Sequence, residues 1–466
     1  MIELKHYQQE AIDKVRQVFA SGKKRVLIQM ATGAGKTFTA AFIMKTAASK
    51  GNNTMFICNR RELIDQTALA FEKIGVHVGI IASGYKSDWS NPIQVASIDT
   101  LRARWDDTLY YPDLVIWDEC RAIASPSWAG IYEHYKDCYH IGLDATPKRL
   151  DRKPLRPFFD EMISVITIAD LIAEGSLVPP IVYAPEKRPD MSGVKVTGGD
   201  YNAKAVAQIM ASAPITGDII DHYRRLGDGL QGLVFCPTIE YSEMIASKFC
   251  EAGYMAVHLD GNTQKKTRKA IVERYKAGEI KLLTNVNLFT AGFDVPNVSY
   301  IADASPTKSL ANFMQRAGRG ARPAPDKTHY ILADHAGNSF EHGLPHIDRE
   351  WSLDVPPKRS KNAISEAPVK QCDICYAVSP ARSKQCSACG SDFPAEKHEP
   401  KTAAGNLVIQ EVLPKLSWSE VQKAVQESTG MADLYAIAKR QGYKAGWAWH
   451  QKKQVEQLWQ QKKVQF

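Results

Sequence analysis

A short glycine-containing segment is the first part of the sequence whose residue types could do chemistry. Gly33-Ala34-Gly35-Lys36-Thr37 follows an apolar run at 25–30 and opens a stretch of helical periodicity at 36–48. Glycines let backbone N–H groups converge on phosphate oxygens, and a helix N-terminus attracts anions. Lys36 would reach the outer phosphates and Thr37 would hold Mg²⁺, although Met30 replaces the first glycine of the full phosphate-loop pattern. The residues expected to bind the phosphates are Thr32, Gly33, Ala34, Gly35, Lys36 and Thr37.

Two adjacent carboxylates are the second chemical feature. Asp118 and Glu119 follow the apolar run 114–117, so both emerge where a predicted strand ends. Asp118 would bind Mg²⁺ through water, and Glu119 would polarise the attacking water. An Asp-Glu pair alone is commonly a solvated surface feature, but its position after a strand and its pairing with a phosphate loop favour catalysis.

A basic, glycine-containing run at 315–322 is the third feature. It carries Gln315, Arg319 and Arg322, and such a run taken alone is usually a solvated loop. Here it follows a second series of strand-like runs, from which the arginines could reach the γ-phosphate charge across a cleft. A phosphate loop in one domain and arginines in another would make ATP close the two domains. That arrangement is typical of a motor.

The elements that position these residues alternate between short apolar runs and longer segments of helical periodicity. Such alternation predicts parallel sheets covered by helices, with ligand chemistry at the carboxyl ends of the strands. We expect one α/β domain at 1–177 and a second at 213–342. Pro- and Gly-containing residues 178–212 read as a linker or flap, and polar, basic residues 343–369 as another linker.

Four closely spaced cysteines follow the second linker, in a small module at 370–395. Their spacing, with two residues within each pair and ten between the pairs, is typical of two zinc knuckles, formed by Cys372, Cys375, Cys386 and Cys389. Four thiolates close the coordination shell, so we expect a structural Zn²⁺. The sequence leaves open whether the module only staples a small fold or also contacts DNA through Lys370, Arg382 and Lys384.

The last part of the chain, 396–466, is basic and rich in aromatic residues. Residues 401–466 hold ten Lys or Arg against five Asp or Glu, and four of the nine tryptophans, Trp418, Trp447, Trp449 and Trp459. These rings could stack on bases beside the cations, or they could form the core of a small helical domain with a basic face. Both interpretations can hold together.

Composition limits the partners and the compartment. The chain has 466 residues and a formal net charge of +8, which attracts an acidic polymer such as nucleic acid. No stretch approaches the about 18 apolar residues of a membrane span, and the start does not read as a signal peptide. Together with the paired cysteines, this predicts a reducing, cytoplasmic setting with no membrane partner.

The motif set resembles that of superfamily 2 helicases over about residues 4–335. The resemblance implies two tandem RecA-like domains and adds further site residues. Tyr7 and Gln8 would read adenine, and Gly292 and Asp294 would contribute to the nucleotide site. Nucleic-acid contacts are implied for Arg60, Arg61, Ser97, Thr100, Thr238 and Thr284. The sequence departs from the family pattern at Arg121, where relatives commonly have His, and at Asp144, where Ser or Thr is usual.

This resemblance implies a helicase or translocase that hydrolyses ATP with Mg²⁺ on nucleic acid. Within the superfamily the sequence resembles the RadD-like bacterial DNA repair helicases and their phage-borne relatives. This likeness favours DNA, a role beside replication, recombination or repair proteins, and the cytoplasm of a bacterium or a phage-infected cell. The likeness rests on Asp118 to Cys120, Gly292 to Pro296, Asp334 to Asn338 and the cysteine module. Alternatives are an RNA helicase, a nucleotide-dependent switch that does not unwind, and a motor of a restriction-like complex, for which no nuclease motif is visible.

Overall fold

A computed structural model describes residues 3–59, 61–104, 110–185, 189–212, 215–289, 295–354, 368–393, 416–444 and 446–463. The chain divides into two units, 1–394 and 395–466. In the part of the chain so described, no helix combines the length and apolarity that crossing a membrane would require.

The first domain is built on a sheet of seven parallel strands. Its strands, in the spatial order β3-β4-β2-β5-β6-β1-β7, are β1 Arg25–Gln29, β2 Thr54–Cys58, β3 Gly79–Ile81, β4 Ile93–Ser97, β5 Leu114–Asp118, β6 Tyr139–Asp144 and β7 Glu161–Ser164. Its helices are α1 His6–Ala20, α2 Lys36–Ala48, α3 Arg61–Glu72, α4 Ile98–Ala103, α5 Pro126–His134 and α6 Ile168–Ala173. Helices α1, α2 and α3 pack on one face, and α4 and α5 pack on the other. Strands covered on both faces read as continuous apolar runs, which is why the sequence reveals them.

The second domain has six parallel strands, extended by two antiparallel ones. The spatial order is β12-β13-β11-β14-β15-β8-β17-β16, with β8 Pro180–Tyr183, β11 Gln231–Phe235, β12 Ala256–Leu259, β13 Leu282–Asn285, β14 Val298–Asp303, β15 Tyr330–Ala333, β16 Val369–Gln371 and β17 Ala377–Pro380. A small hairpin pairs β9 Val196–Thr197 with β10 Asp200–Tyr201. The helices are α7 Ala203–Ser212, α8 Ile215–Leu226, α9 Ile239–Glu251, α10 Lys265–Lys276, α11 Leu310–Ala317 and α12 Asn338–His342.

The structure differs from the predicted linker or flap at 178–212. Strand β8 lies in that range and pairs in parallel with β15, so it belongs to the second sheet. Pro179 and Pro180 obscure it in the sequence, but proline is compatible with the first position of a strand. The hairpin β9–β10 and helix α7 occupy the rest of the described range.

The predicted linker at 343–369 also begins as ordered structure. Residues 344–354, here named the strap, run from the second domain back to the first. The Arg349 guanidinium donates to the carbonyls of His342, Leu344 and Ile347 at 3.0, 2.9 and 2.8 Å, which folds the start of the strap into a compact turn. Residues 355–367 of that linker lie outside the described part of the chain.

The far end of the strap is docked on the first domain. Leu353 is 2% exposed and packs in the core on the α4 and α5 face. Its carbonyl accepts hydrogen bonds from the N–H groups of Leu155 and Arg156 at 2.8 and 3.1 Å. Arg156 also pairs with Asp354 at 2.8 Å. The strap therefore ties the end of the second domain to the first.

The second unit is a small helical bundle, described here by itself. It contains α13 Trp418–Glu427, α14 Met431–Gln441 and α15 Gly446–Lys463. A capping box of Ser417 and Glu420 begins α13, and Gly442, with φ of 75°, ends α14. The buried core is aliphatic and consists of Val421, Val425, Leu434, Ala438, Ala448 and Val455.

We predict that Leu353→Asp releases the strap from the first domain. Burying an unpaired carboxylate at this site is unfavourable, so the N–H groups of Leu155 and Arg156 should exchange with solvent roughly 30-fold faster or more, as a loss of about 2 kcal/mol implies. Hydrogen exchange with mass spectrometry measures this. Leu69→Asp, at a leucine that is 56% exposed on α3, is the matched control and should leave the strap unchanged. Unchanged exchange in Leu353→Asp would contradict the docking.

Candidate functional site

The phosphate loop lies between β1 and α2, where the sequence places it. Gly33 and Gly35 have φ of 91° and 81°, which side chains other than glycine rarely adopt. A Cβ on Gly33 would lie 2.8 Å from the Leu177 side chain, and one on Gly35 would lie 2.5 Å from Gln8 Nε2. Lys36 begins α2, and its Nζ donates to the carbonyl of Met30 at 3.4 Å. The loop is thus compact and its lysine points back over it.

Gln8 connects the start of the chain to this loop. Its Nε2 donates to the Ala34 carbonyl at 3.0 Å, and its Oε1 accepts from the Lys5 N–H at 3.0 Å. Tyr7, in contrast, is almost wholly buried in the first domain's core. Gln8 therefore lies at the phosphate loop, whereas Tyr7 contributes packing in this arrangement. Their adenine-reading role stays a prediction.

Asp118 and Glu119 emerge at the carboxyl end of β5, and both are close to Lys36. Burial, the neighbouring Glu119 and Asp144 raise the pKa of Asp118 to about 7, against the opposing effect of Lys36 and Arg121. Burial alone would raise the pKa of Glu119, but Arg121, Lys36 and the nearby Gln315 side chain together hold it below its usual value. A divalent cation would stabilise the ionised form of Asp118, so these residues fit an Mg²⁺ site.

Arg121 and Asp144, the two departures from the family pattern, are in contact. Arg121 Nη1 donates to Asp144 Oδ1 at 2.7 Å and also to the Glu119 carboxylate. Asp144 Oδ2 accepts from the Arg121 N–H at 3.0 Å, and its Oδ1 accepts from the Thr146 N–H at 2.9 Å. Both oxygens of Asp144 are therefore used within the protein. This leaves Asp118 and Glu119 as the carboxylates that face the phosphate loop.

Helix α11 brings the second domain to this site. Ser309 caps its start by accepting from the Asn312 N–H at 3.2 Å. The Gln315 side chain on this helix lies beside the Glu119 carboxylate of the first domain and favours its ionised form. A Cβ on Gly318 would lie 3.0 Å from the Thr32 side chain, so the turn after α11 approaches the phosphate loop closely. Arg319 and Arg322 follow in that turn, both partly buried.

A buried polar network that the sequence reasoning missed holds α11 in place. Arg316 Nη1 donates to Asp303 Oδ1 at 3.0 Å and to the Ser305 carbonyl at 2.7 Å. Asn338 Nδ2 donates to Asp303 Oδ2 at 2.9 Å, and its N–H donates to Asp334 Oδ1 at 3.0 Å. Burial and Asp303 raise the pKa of Asp334 to about 6. The signal in the sequence that could have revealed this network is Arg316, an arginine on the buried face of the amphipathic helix α11.

The residues implied for nucleic-acid contact fall into several groups. Ser97 ends β4 and pairs in register with Cys58 at the end of β2, so both loops lie on one edge of the first sheet. Thr100 accepts from the Ser83 N–H at 3.1 Å, and Thr238 caps α9 through the Tyr241 N–H at 3.3 Å. The side chain of Thr284 is fully buried, with its hydroxyl bonded to Ser242. Thus Thr100, Thr238 and Thr284 support backbone or core here.

Arg60, Gly292 and Asp294 lie outside the described residues. Arg61 begins α3, but its side chain is outside the description. Their roles stay predictions.

The four cysteines of the module come together as their spacing predicts. All four sulfur atoms lie within 4.8 Å of one another, with Cys372 to Cys389 at 3.7 Å and Cys375 to Cys386 at 3.6 Å. Tetrahedral zinc with Zn–S bonds of about 2.3 Å separates its sulfurs by about 3.8 Å. Tyr376 and Gly390, each directly after a second cysteine, both have positive φ, so the two knuckles have the same turn. The arrangement fits one metal ion.

The module is joined to the second domain. Strand β17 pairs antiparallel with β8, and Gln371 Nε2 donates to the Ala184 carbonyl at 2.7 Å. Cys372 and Cys386 pack with Ile181 and Tyr183. Of the two roles left open by the sequence, a structural one is visible in these contacts. Lys370 lies 4.0 Å over the Phe393 ring, while Arg382 and Lys384 remain exposed.

In the helical bundle, Trp418 and Trp449 lie outside the aliphatic core. Trp418 and Trp449 are 68% and 57% exposed, and Lys452 Nζ lies 5.2 Å over the Trp449 ring. Trp447 packs at the edge of the aliphatic core beside Tyr443. The side chain of Trp459 lies outside the description. An exposed ring beside a cation is compatible with base stacking.

Comparison with known proteins identifies both halves of the motor. Residues 1–149 match the family model of the type III restriction enzyme res subunit, and residues 217–324 match that of the helicase conserved C-terminal domain. A 51.5 kDa protein of a Lactococcus phage is 32% identical over 355 residues, which cover 76% of this chain and 75% of that protein.

Other relatives are larger than this chain. A Saccharomyces cerevisiae protein named as an ATP-dependent helicase, IRC3, is 28% identical and matches 72% of this chain, but the match covers 52% of that protein. An endonuclease subunit of the type I restriction enzyme EcoAI of Escherichia coli is 25% identical and matches 68% of this chain and 44% of its own length.

Solved structures confirm the fold. The type ISP restriction-modification enzyme LlaBIII bound to DNA has a TM-score of 0.54 at 18% identity, covering 71% of this chain and 28% of that one. Dbp5 of S. cerevisiae bound to RNA has a TM-score of 0.54 at 15% identity, covering 72% and 85%. With both family models and the phage relative in agreement, the chain belongs to superfamily 2 of the helicases and is an ATP-hydrolysing enzyme that depends on nucleic acid.

Proposed function

We propose that this enzyme is a motor that moves on DNA, as a helicase or translocase in replication, recombination or repair. The observation that carries the proposal is the close approach of the two domains at the phosphate loop, where Gly318 lies against Thr32 and Gln315 lies beside Glu119. The Glu119 carboxylate, which would activate water for hydrolysis, lies where the two domains approach each other. A change at the nucleotide can therefore move the domains relative to each other, which is what translocation requires.

Side chains from both domains take part in hydrolysis. Lys36 and the loop N–H groups hold the phosphates, while Thr37 and Asp118 would hold Mg²⁺, which supplies charge neutralisation on the phosphate oxygens when bound. Glu119 accepts the proton of the attacking water. Arg319 and Arg322, in the turn that approaches Thr32, stabilise charge on the transferred phosphoryl group.

DNA is favoured over RNA by sequence likeness. The family model that residues 1–149 match is that of a restriction-enzyme subunit. The E. coli relative is also a restriction-enzyme subunit. The fold itself does not choose the polymer, because one similar structure is bound to DNA and another to RNA. The formal charge of +8 suits contacts that are mainly to phosphates, so we expect little sequence specificity.

Steady-state ATP hydrolysis tests this proposal directly. With Mg²⁺ present, single-stranded, duplex or forked DNA should stimulate hydrolysis more strongly than RNA of the same length. Lys36→Ala should lower kcat by roughly 100-fold or more, because the phosphate charge loses its main cation. Lys50→Ala, at an exposed lysine just after α2, is the matched control and should keep the parent rate. Stronger stimulation of hydrolysis by RNA than by DNA would contradict the DNA proposal and make RNA the proposed substrate.

We further propose that the four-cysteine cluster holds one Zn²⁺ with a structural role. The sulfur distances of 3.6 and 3.7 Å fit tetrahedral coordination. Since β17 extends the sheet through β8, metal binding would stabilise the edge of the second domain as well as the module.

Removal of one ligand tests the metal and its role together. The parent protein should contain about one zinc per chain, and Cys386→Ser should lose it. Amide exchange in β8 and β17 should then increase, because the folding free energy supplied by the metal is lost. Elemental analysis and hydrogen exchange are the measurements, with Cys250→Ser, an exposed cysteine of α9, as control. Zinc retained in Cys386→Ser, or a metal-free parent, would refute the assignment.

A further inference from the structure

The strongest unexplained feature is the contact between Arg121 and Asp144. Both residues depart from the family pattern, and the structure brings them together at 2.7 Å, with Arg121 also paired to Glu119. The Asp144 side chain is fully buried, and Arg121 and Glu119 are mostly buried. Either charge alone would be unfavourable in such a place, whereas a hydrogen-bonded pair is tolerated. The two residues therefore form one charge-compensated pair.

We propose that Arg121 is a positioning residue for hydrolysis, which holds the Glu119 carboxylate in place, and that Asp144 is the anchor that holds Arg121. Glu119 follows β5 with φ of 54°, so its backbone leaves the strand sharply and its side chain needs a partner to fix its direction. Arg121 is that partner within the first domain. The inference rests on the proposed role of Glu119 as the residue that activates water.

The anchor has the geometry that this role requires. Asp144 binds Arg121 twice, through Nη1 at 2.7 Å and through the backbone N–H at 3.0 Å. The Thr146 N–H, at 2.9 Å, fixes the Asp144 carboxylate in turn. Since Asp144 ends β6, the position of Glu119 is set from the neighbouring strand as well as from its own.

A misplaced Glu119 gives a readout that a purely structural pair would not move. Glu119 does not hold the phosphates in the proposed mechanism, so its misplacement should lower the rate of hydrolysis and leave KM for ATP nearly unchanged. Loss of local folding around the phosphate loop would instead raise KM as well.

The experiment measures kcat and KM for ATP hydrolysis at saturating nucleic acid. Arg121→Gln and Asp144→Asn should each lower kcat about 10- to 100-fold with KM for ATP nearly unchanged, as misplacement of a catalytic group does. The double variant, with two neutral amides that can still hydrogen-bond, should recover to within about tenfold of the parent.

Control variants separate the possible failures. Arg121→Lys keeps the charge but not the fork, so its kcat should fall with KM nearly unchanged, even if Arg121→Gln does not fold. Arg224→Gln and Asp221→Asn, from an exposed pair at 2.8 Å, should change neither kcat nor KM. Full activity in Glu119→Gln would refute the role of Glu119. An inactive Glu119→Gln with a double variant no better than the singles, or with single variants that raise KM as much as they lower kcat, would refute the role of Arg121.

Discussion

Three buried carboxylates at the carboxyl end of the first sheet are the constraint on which the rest of the structure depends. Asp118, Glu119 and Asp144 end or follow neighbouring strands, so parallel pairing alone brings their charges together. Such a cluster is stable only with cations beside it. Lys36 arrives from the phosphate loop and Arg121 from the turn after β5. Lys36 and Arg121 therefore balance the negative charge of these carboxylates, and this balance stabilises the nucleotide site.

The second domain also approaches this cluster of carboxylates. The Gln315 side chain lies beside Glu119, and its helix α11 is held by the buried pair of Arg316 and Asp303. Because that pair sits inside the second domain, the helix moves with its sheet and not independently. Motion of the whole domain is thus transmitted to the carboxylate that would activate water.

The sequence predicts the parts of this arrangement that have strong local signals. Apolar runs at 25–30, 54–58 and 114–117 become β1, β2 and β5, because strands buried on both faces leave uninterrupted runs. Strand β8 was missed because prolines surround it, and the strap because a docked segment without regular structure has no periodicity. The pairing of Arg121 with Asp144 joins turns after two different strands. Only the order of strands in the sheet reveals such a contact.

One short segment between the domains contacts the phosphate loop, the turn that carries Arg322 and, through β8, the cysteine module. Leu177 packs against Gly33 of the phosphate loop, and the Val178 N–H donates to the Ala321 carbonyl, next to Arg322, at 2.8 Å. Directly afterwards, β8 pairs with β15 on one side and with β17 of the cysteine module on the other. A shift of this segment must therefore move the loop, the arginine turn or the module. Because metal coordination would fix β17, it would also fix β8, and the remaining freedom would lie between Leu177 and the phosphate loop. A metal-bound cysteine module would in this way restrict movement where the two domains join, although it follows both of them in the sequence.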